Sequence, residues 1–452
     1  MREGVAAQAK PASDGSVQFA ALSRLFKVGL LVVVVIPAVI ALVILYRQAF
    51  ALPYVDDYHA ILDFAIRFRQ SPTWVAKVQE IIGHQHNEYK LIFEHLIVAS
   101  NLELVGHLNF GLLIVLGNLF LLPLAYLLWR IHVAEEGRSN TLLLKFVPIS
   151  LLFFSLSYWE TLNWAMAGLQ NIPVILFVLL SLKLLCPVGP SRIGRRRLLW
   201  SCVAAVLAAL TSANGFLLAP LGLFILMRRR AYAASLAWCA TYVIPLLAYL
   251  YRYVPRHQPH AFSASSIVYF FDFSGAAIPG VNNEVRVLFG ILVIAVFIVS
   301  IRRRFEHTHP TSFYFTVWIL MCGGLVAALR GPIAPRYTLY SLLLFIYVYK
   351  FLLFYIPQQF PKAGPKPVFA TLFVLASVIC IAADRDAYLQ LGKRKETAVS
   401  GMNSYLTNPE TNPPLLDRFI ELYAPEEAEY ERIELTRAIK SHVIPMPKAS
   451  YF

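Results

Sequence analysis

The sequence predicts an all-α fold, a polytopic helical membrane protein, and three observations carry that expectation. Of the 452 residues, 58% are hydrophobic and only 15% charged, against roughly 45–50% apolar and 25% charged in soluble domains. The apolar residues gather into long uninterrupted runs, the pattern of bilayer-crossing helices rather than of half-buried strands. The cations cluster in short groups at the ends of those runs, as the positive-inside rule requires. A formal net charge of +14 would suggest nucleic acid in a soluble domain, but charge placed this way belongs to loops at a membrane face, so no nucleic-acid partner is expected.

In chain order, residues 1–27 read as a cytoplasmic tail, disordered over the small and polar residues 1–18. The run 28–46 is long enough to cross a hydrocarbon core of about 30 Å. Ala49-Phe50-Ala51 resembles a signal-peptidase site, yet the preceding run exceeds the roughly 7–15 residues of a signal h-region, so an uncleaved first helix is expected. A first outer loop, 47–107, holds amphipathic helices. Further spans follow at 108–129, 141–158, 168–186, 198–210, 215–227, 232–251, 287–301, 312–329, 338–356 and 368–383, giving about 11 transmembrane helices in a domain covering 28–383. The spans at 198–210 and 215–227 are too short to cross alone at about 1.5 Å per residue, and a hairpin with its apex below the outer surface is expected there. A short C-terminal outer tail, 384–452, carries Pro413-Pro414 and an acidic helix candidate at 425–440, read as a solvated cap or a substrate contact.

Loop charge alternates. One set of loops holds Arg130/Arg138, Arg192/Arg195/Arg196/Arg197, Arg228/Arg229/Arg230, Arg302/Arg303/Arg304 and Lys362/Lys366. The other holds Asp56/Asp57/Glu88, Glu160, Asn214, Asp272/Glu284 and Arg330/Arg336. The positive set is expected to be cytoplasmic, which puts the N-terminus inside and, with an odd number of spans, the C-terminus on the periplasmic or extracellular side of an inner membrane. Cys186, Cys202, Cys239, Cys322 and Cys380 lie in or beside spans without paired spacing, so neither a disulfide framework nor a metal knuckle is indicated. No internal repeat, glycine-rich phosphate loop or low-complexity tract is present.

The stretch 53–95 concentrates the chemistry. Asp56-Asp57 follows the first span by about ten residues, at or just under the interface, where carboxylates are costly unless solvated, paired or metal-bound. Their proximity and partial burial should raise one pKa and supply a general base; the alternative is an N-cap for the helix starting near Ala60. His84, His86 and Glu88 share one side of an extended backbone, whereas in a helix only His84 and Glu88 share a face. Either arrangement allows Asp56, His84 and Glu88 to hold a divalent metal ion, Mg or Mn, with Lys90 nearby; the alternative is an interfacial helix with these groups facing water. Glu160 stands beside Trp159 and Trp164, aromatics of belt type. Gln170, Asn171 and Asn214 sit at the outer ends of spans, suited to hydroxyl recognition or to interhelical hydrogen bonds. Arg330 and Arg336-Tyr337 face outward against the positive-inside trend, and an arginine fork suits a phosphate oxygen pair, with generic lipid headgroup binding as the alternative.

Taken together, Val55-Asp56-Asp57-Tyr58, His86-Asn87-Glu88-Tyr89-Lys90, Ser212-Ala213-Asn214-Gly215 and Pro335-Arg336-Tyr337 resemble the C-type, polyprenyl-phosphate-sugar-dependent membrane glycosyltransferases, which include protein O-mannosyltransferases and the aminoarabinose transferase. The resemblance spans 52–337 and implies sugar transfer from a polyprenyl-phosphate sugar to a glycan or lipid acceptor beside the bilayer. It implies Asp56 as the base, Asp57 and Glu88 in support, and Arg336 steadying the departing phosphate. Two features depart from the family pattern: Tyr89-Lys90 stands in place of His-Arg, and no large soluble outer domain is expected after the last span. The competing readings are a transporter or lipid/glycan flippase, in which the acids bind a cation or relay protons, and a polymerase or ligase using diphosphate-linked glycans. A transporter wants ionisable groups near the midplane of several helices, and the span centres here are almost free of them.

Overall fold

The computed structural model describes residues 14–48, 52–137, 139, 141–189, 193–255, 263–330, 333–361, 365–412, 414 and 425–445. Residues 1–13, Ala49-Phe50-Ala51, Arg138, Arg192, Lys362 and Pro413 lie outside the described residues. The fold is all-helical; among the described residues strand-type pairing is confined to one isolated antiparallel bridge, His86 to Tyr89.

Nine helices among the described residues are long and apolar enough to cross a bilayer, which marks a membrane protein: Lys27–Gln48, Phe110–Glu136, Leu142–Leu162, Ala165–Leu185, Tyr232–Leu250, Asn283–Arg302, Pro310–Leu329, Pro335–Gln359 and Lys366–Thr407. Each overlays one of the expected spans. In element terms, α1 is Asp14–Gln48 and the first loop holds α2 (Asp63–Gln70), α3 (Trp74–Gly83) and α4 (Ile92–Val105). Then come α5 (Phe110–Leu119), α6 (Leu121–Glu136), α7 (Leu142–Phe153), α8 (Trp159–Leu162) and α9 (Ala165–Leu185). The next are α10 (Arg195–Thr211), α11 (Leu218–Arg228), α12 (Tyr232–Thr241), α13 (Val243–Leu250) and α14 (Ala264–Gly275). Last are α15 (Asn283–Arg302), α16 (Pro310–Leu329), α17 (Thr338–Gln359), α18 (Pro365–Thr407) and α19 (Pro425–Lys440).

α9 is the axis of the bundle: 83% of its apolar window is buried, against 17% for α1, α15 and α18, which line the periphery. The two short expected spans are helices of 17 and 11 residues, α10 and α11. They are joined by a tight turn in which a Cβ on Gly215 would stand 2.1 Å from Ala208 O, so only glycine lets Asn214-Gly215 fold back onto α10.

Two apolar cores result. The larger joins the spans through residues such as Leu182, Trp238, Trp318 and Leu344. The smaller lies under the first loop and combines Ile61, Phe64 and Leu91 with Trp164 of the α8–α9 junction, Met402 and Tyr405 of α18, and Leu435 and Ala438 of α19. The expected boundary between spans and tail at 383/384 is therefore not a structural one. α18 passes it unbroken for 43 residues, about 65 Å at 1.5 Å per residue and twice a hydrocarbon core. The loop helices are partly amphipathic as expected, and α3 leaves Trp74 and Val75 about 70% exposed, an apolar face suited to a bilayer interface.

Candidate functional site

The site begins with a strained turn. Val55 holds a left-handed φ of +45°, an outlier for a β-branched residue, and Asp57 N and Tyr58 N close the turn on Tyr54 O and Val55 O at 3.0 and 3.1 Å. The turn sends the adjacent carboxylates apart. Asp57 points inward at 1% exposure; Oδ1 accepts from Trp164 Nε1 at 3.1 Å and Met166 N at 3.0 Å, and Oδ2 accepts from Tyr54 N at 3.0 Å. It occupies the N-cap position of the following π-type turn, but its side chain makes no capping bond there. Burial pushes the Asp57 carboxyl up to about 7, outweighing the hydrogen bonds from Met166 and Tyr54. Asp56 points outward with 22% of its side chain exposed, Oδ2 accepting from Arg336 Nη1 at 3.2 Å and Oδ1 standing 4.0 Å from His86 Nε2.

The second half of the loop is a tight hairpin, with His86 N on Tyr89 O and Tyr89 N on His86 O, both at 3.0 Å. Asn87 takes the left-handed φ of +48° that asparagine tolerates. Neither the wholly extended nor the helical arrangement is formed, so His84, His86 and Glu88 do not share a face. Glu88 projects from the hairpin tip: Oε2 accepts from Arg330 Nη2 at 3.0 Å, and its carbonyl accepts from the hydroxyls of Tyr249 at 2.6 Å and Tyr253 at 3.2 Å. His86 is buried and lowered to about 4 by that burial, hence neutral near pH 7, with Nε2 accepting from Asn87 Nδ2 at 2.9 Å.

Both arginines lie over rings, Arg330 5.4 Å from the Tyr89 centroid and Arg336 5.1 Å from Trp164 and 5.6 Å from Tyr337, a contact that orients a guanidinium without using its donors. Glu88, Arg330 and Arg336 line a cavity of about 320 Å³, and Asp56 meets it through its ion pair with Arg336. The cavity lining brings together Glu88, Gln170, Asn171, Asn214, Arg330, Arg336 and Tyr337, all singled out in the sequence, with Tyr89, Ser212 and Tyr249. Asn171 and Asn214 are held by Tyr340, whose hydroxyl donates to Asn171 Oδ1 at 3.1 Å and accepts from Asn214 Nδ2 at 3.4 Å. Gln170 Nε2 donates to Ser212 Oγ at 3.3 Å. Leu325, Val326 and Leu329 of α16 supply an apolar wall.

Six expected site residues stand outside the cavity lining: Asp56, Asp57 and His86, placed above, and His84, Lys90 and Glu160. His84 packs against Phe64 and His95, with ring centroids 5.5 and 5.1 Å away, and burial lowers its pKa. Lys90 is buried and donates to the carbonyls of Ile82 and Tyr251, tying the loop to the end of α13; burial lowers it to about 8. Glu160 sits behind Arg336, near both it and Arg394, on α8, whose Thr161 hydroxyl donates to Arg336 O at 2.8 Å. Asp56, His84 and Glu88 do not converge as a ligand set: Glu88 and Asp56 face arginines while His84 faces the loop core. No three His, Cys, Asp or Glu side chains gather at metal-holding distance among the described residues.

Compared with known proteins, the chain matches no family model, no curated protein and no solved structure.

Arg394 is a residue that sequence reasoning missed. It is buried on the extension of α18, its guanidinium stacked 3.5 Å from the Tyr54 centroid, directly behind the Val55 turn. Its only signal was an arginine in a stretch read as a short outer tail. Tyr249 was equally silent, indistinguishable from a belt aromatic.

Proposed function

We propose that the chain is a polyprenyl-phosphate-sugar-dependent glycosyltransferase that passes a sugar to a lipid-linked or envelope glycan acceptor at the outer face of the inner membrane. In this reading α10 and α11 complete a set of 11 spans, with the N-terminus cytoplasmic and the C-terminus outside. The observation that carries the proposal is the pairing of two carboxylates with two arginines, Asp56 with Arg336 and Glu88 with Arg330, of which Glu88, Arg330 and Arg336 line a cavity that also presents amides and an apolar wall, and Asp56 meets that cavity through Arg336.

The reaction needs a base for the acceptor hydroxyl and cations for the departing phosphate. Asp56 takes the hydroxyl proton, the hydroxyl oxygen forms the bond to the anomeric carbon, and the bond from that carbon to the phosphate oxygen breaks with its electron pair on the phosphate. Protonation of Asp56 frees Arg336 from its ion pair, so its charge becomes available to the phosphate as that charge develops. Arg330 and Glu88 form the second such pair. Gln170, Asn171 and Asn214 present amide donors and acceptors suited to sugar hydroxyls. Leu325, Val326 and Leu329 offer a surface to the first isoprene units. The deep position of Asp57, with both oxygens engaged, makes it the brace that aims Asp56.

The test is mass spectrometry of lipid-linked glycans and envelope polysaccharides from cells with and without the protein, with the Asp56→Asn variant as a third arm. The expected result is a polyprenyl-phosphate sugar that accumulates, and a glycan lacking one sugar, in both the deletion and the variant at normal protein abundance. Unchanged glycans in the deletion would overturn the function; normal glycans in the variant alone would overturn the role of Asp56.

A further inference from the structure

The larger cavity is at the other end of the bundle. It measures about 670 Å³ and lies where the end of α11 meets the start of α16 and the chain after α9. Three consecutive arginines, Arg228, Arg229 and Arg230, line it with His307 against a single carboxylate, Glu306. Its size falls within the roughly 300–1,000 Å³ usual for ligand pockets.

The arginines are held in different ways. Arg228 is braced, Nη1 donating to the Tyr314 hydroxyl at 3.0 Å and Nη2 to Glu306 Oε1 at 3.3 Å. Arg229 Nη2 donates to Pro187 O at 3.3 Å. Arg230, at a left-handed φ of +56°, turns the chain into α12, and its exposed guanidinium makes no hydrogen bond or ion pair among the described residues. Arginines that merely satisfy the positive-inside rule project into the headgroup region and need no concavity. Arg303, in another of the arginine triplets, is engaged by Tyr355 and Gln359 instead. Here three guanidiniums meet one acid around a void, leaving an excess of positive charge that one phosphate group would balance. Planar guanidinium forks match phosphate oxygens in pairs, and basic pockets between membrane helices are suited to anionic headgroups.

We propose that this cavity binds a phosphate-bearing anion, and that Arg228 and Arg230 are its principal ligands. The proposal is independent of glycosyl transfer. The phosphate has two sources, a lipid headgroup or a soluble phosphate, and the experiment separates them.

Full-length protein in neutral detergent is titrated in one arm with inorganic diphosphate and no added lipid. In the other it is titrated with phosphatidylglycerol in mixed micelles, with zwitterionic phosphatidylcholine as the comparison, and binding is read by native mass spectrometry and by the shift in unfolding temperature. Saturable binding of at least one probe is expected. Arg230→Gln should weaken it about tenfold, the scale of one lost charge-assisted hydrogen bond, Arg228→Gln/Arg230→Gln should weaken it further, and Arg303→Gln should leave it unchanged. Response to phosphatidylglycerol alone assigns the site to a headgroup, and response to diphosphate assigns it to a soluble phosphate. No saturable binding of either probe, or variants that bind as tightly as the wild type, would overturn the proposal. Arg230→Gln removes no bond seen within the fold, so it keeps the test decisive if the double variant fails to fold.

Discussion

The molecule pairs carboxylates with cations at both ends of its bundle, and the two sets differ in what surrounds them. At the end that carries the candidate site, the side chains of Asp56 and Arg336 are each 22% exposed, and those of Glu88 and Arg330 are 29% and 26% exposed. At the arginine-rich end, Glu135 is fully buried and its partner Lys350 is 6% exposed. Glu135 Oε1 accepts from Ser312 N at 2.9 Å, and Oε2 accepts from Ser312 Oγ at 2.6 Å and Lys350 Nζ at 2.5 Å. Next to it Glu136 accepts from Lys145 at 2.7 Å and pairs with His309 at 3.3 Å. The Glu135–Lys350 pair is closed to solvent, although the neighbouring Lys145 keeps 29% of its side chain exposed. The Asp56–Arg336 and Glu88–Arg330 pairs are partly open, with Glu88, Arg330 and Arg336 facing the cavity, and a partly exposed pair of this kind is worth only about 1 kcal/mol to the fold. The contrast separates charge pairs closed among packed helices from charge pairs beside a cavity, where a ligand can reach them.

That contrast breaks most sharply at Asp56. Asp56→Asn should lower transfer by about 10²- to 10⁴-fold, the usual worth of a positioned base, while its unfolding temperature in detergent stays near that of the wild type. A large loss of stability would put Asp56 in the same class as Glu135. Glu135→Ala should do the reverse to the fold, costing about 3–5 kcal/mol by stranding the Lys350 charge in a buried site. Denaturant or thermal unfolding in detergent reads this directly, and a cost below about 1 kcal/mol would dissolve the distinction between the two ends.

Asp57 sharpens the comparison within the loop itself. Its folded carboxyl keeps a proton up to about pH 7, whereas an unfolded one releases it near 3.8. The stabilisation from this group is therefore fully present below about pH 4 and is lost as pH rises towards 7, by a few kcal/mol at most, on the order of 1.4 kcal/mol for each pH unit between the two values. Unfolding followed from pH 4.5 to 8 should show that decline in the wild type and a flatter profile in Asp57→Asn. Identical slopes would remove burial as the dominant influence on Asp57. The smallest effect is expected at Arg330→Gln, which leaves the base in place and removes one cation from the rim. KM for the lipid donor should rise about tenfold with kcat changed less, as befits one charge-assisted hydrogen bond; a fall in kcat alone would move Arg330 into the transition state.

Much of this organisation was legible in the chain. Hydropathy is a local property, so the nine long spans could be read directly, and so could the two short helices with their Ser212-Ala213-Asn214-Gly215 turn. Glu88, Gln170, Asn214, Arg336 and Tyr337 were readable for the same reason: a polar group at the end of an apolar run is conspicuous, and five such groups line one cavity. The resemblance to polyprenyl-phosphate-dependent transferases rests on those motifs and supports the proposal without a matching relative. What misled was sequence proximity. His84 and Lys90 stand within a few residues of Glu88, yet one is absorbed into the loop core and the other clamps two carbonyls. The charged stretch after Ala383 looked like the end of a span because apolarity stops there, although the helix does not.

By itself the sequence determined that the protein is helical and membrane-associated, where its charges cluster, and which end residues are chemically capable. These depend on residue type and on periods of a few residues, which are local quantities. Only the tertiary structure decided which of two adjacent aspartates is available, because that choice rests on the Val55 turn and on donors more than a hundred residues away at Trp164 and Met166. It alone placed Arg336 on Asp56 and Arg330 on Glu88, and brought Arg394 of α18 behind Tyr54. Contacts across 280 and 242 residues are set by how the helices pack around α9, and packing is a property of the whole chain.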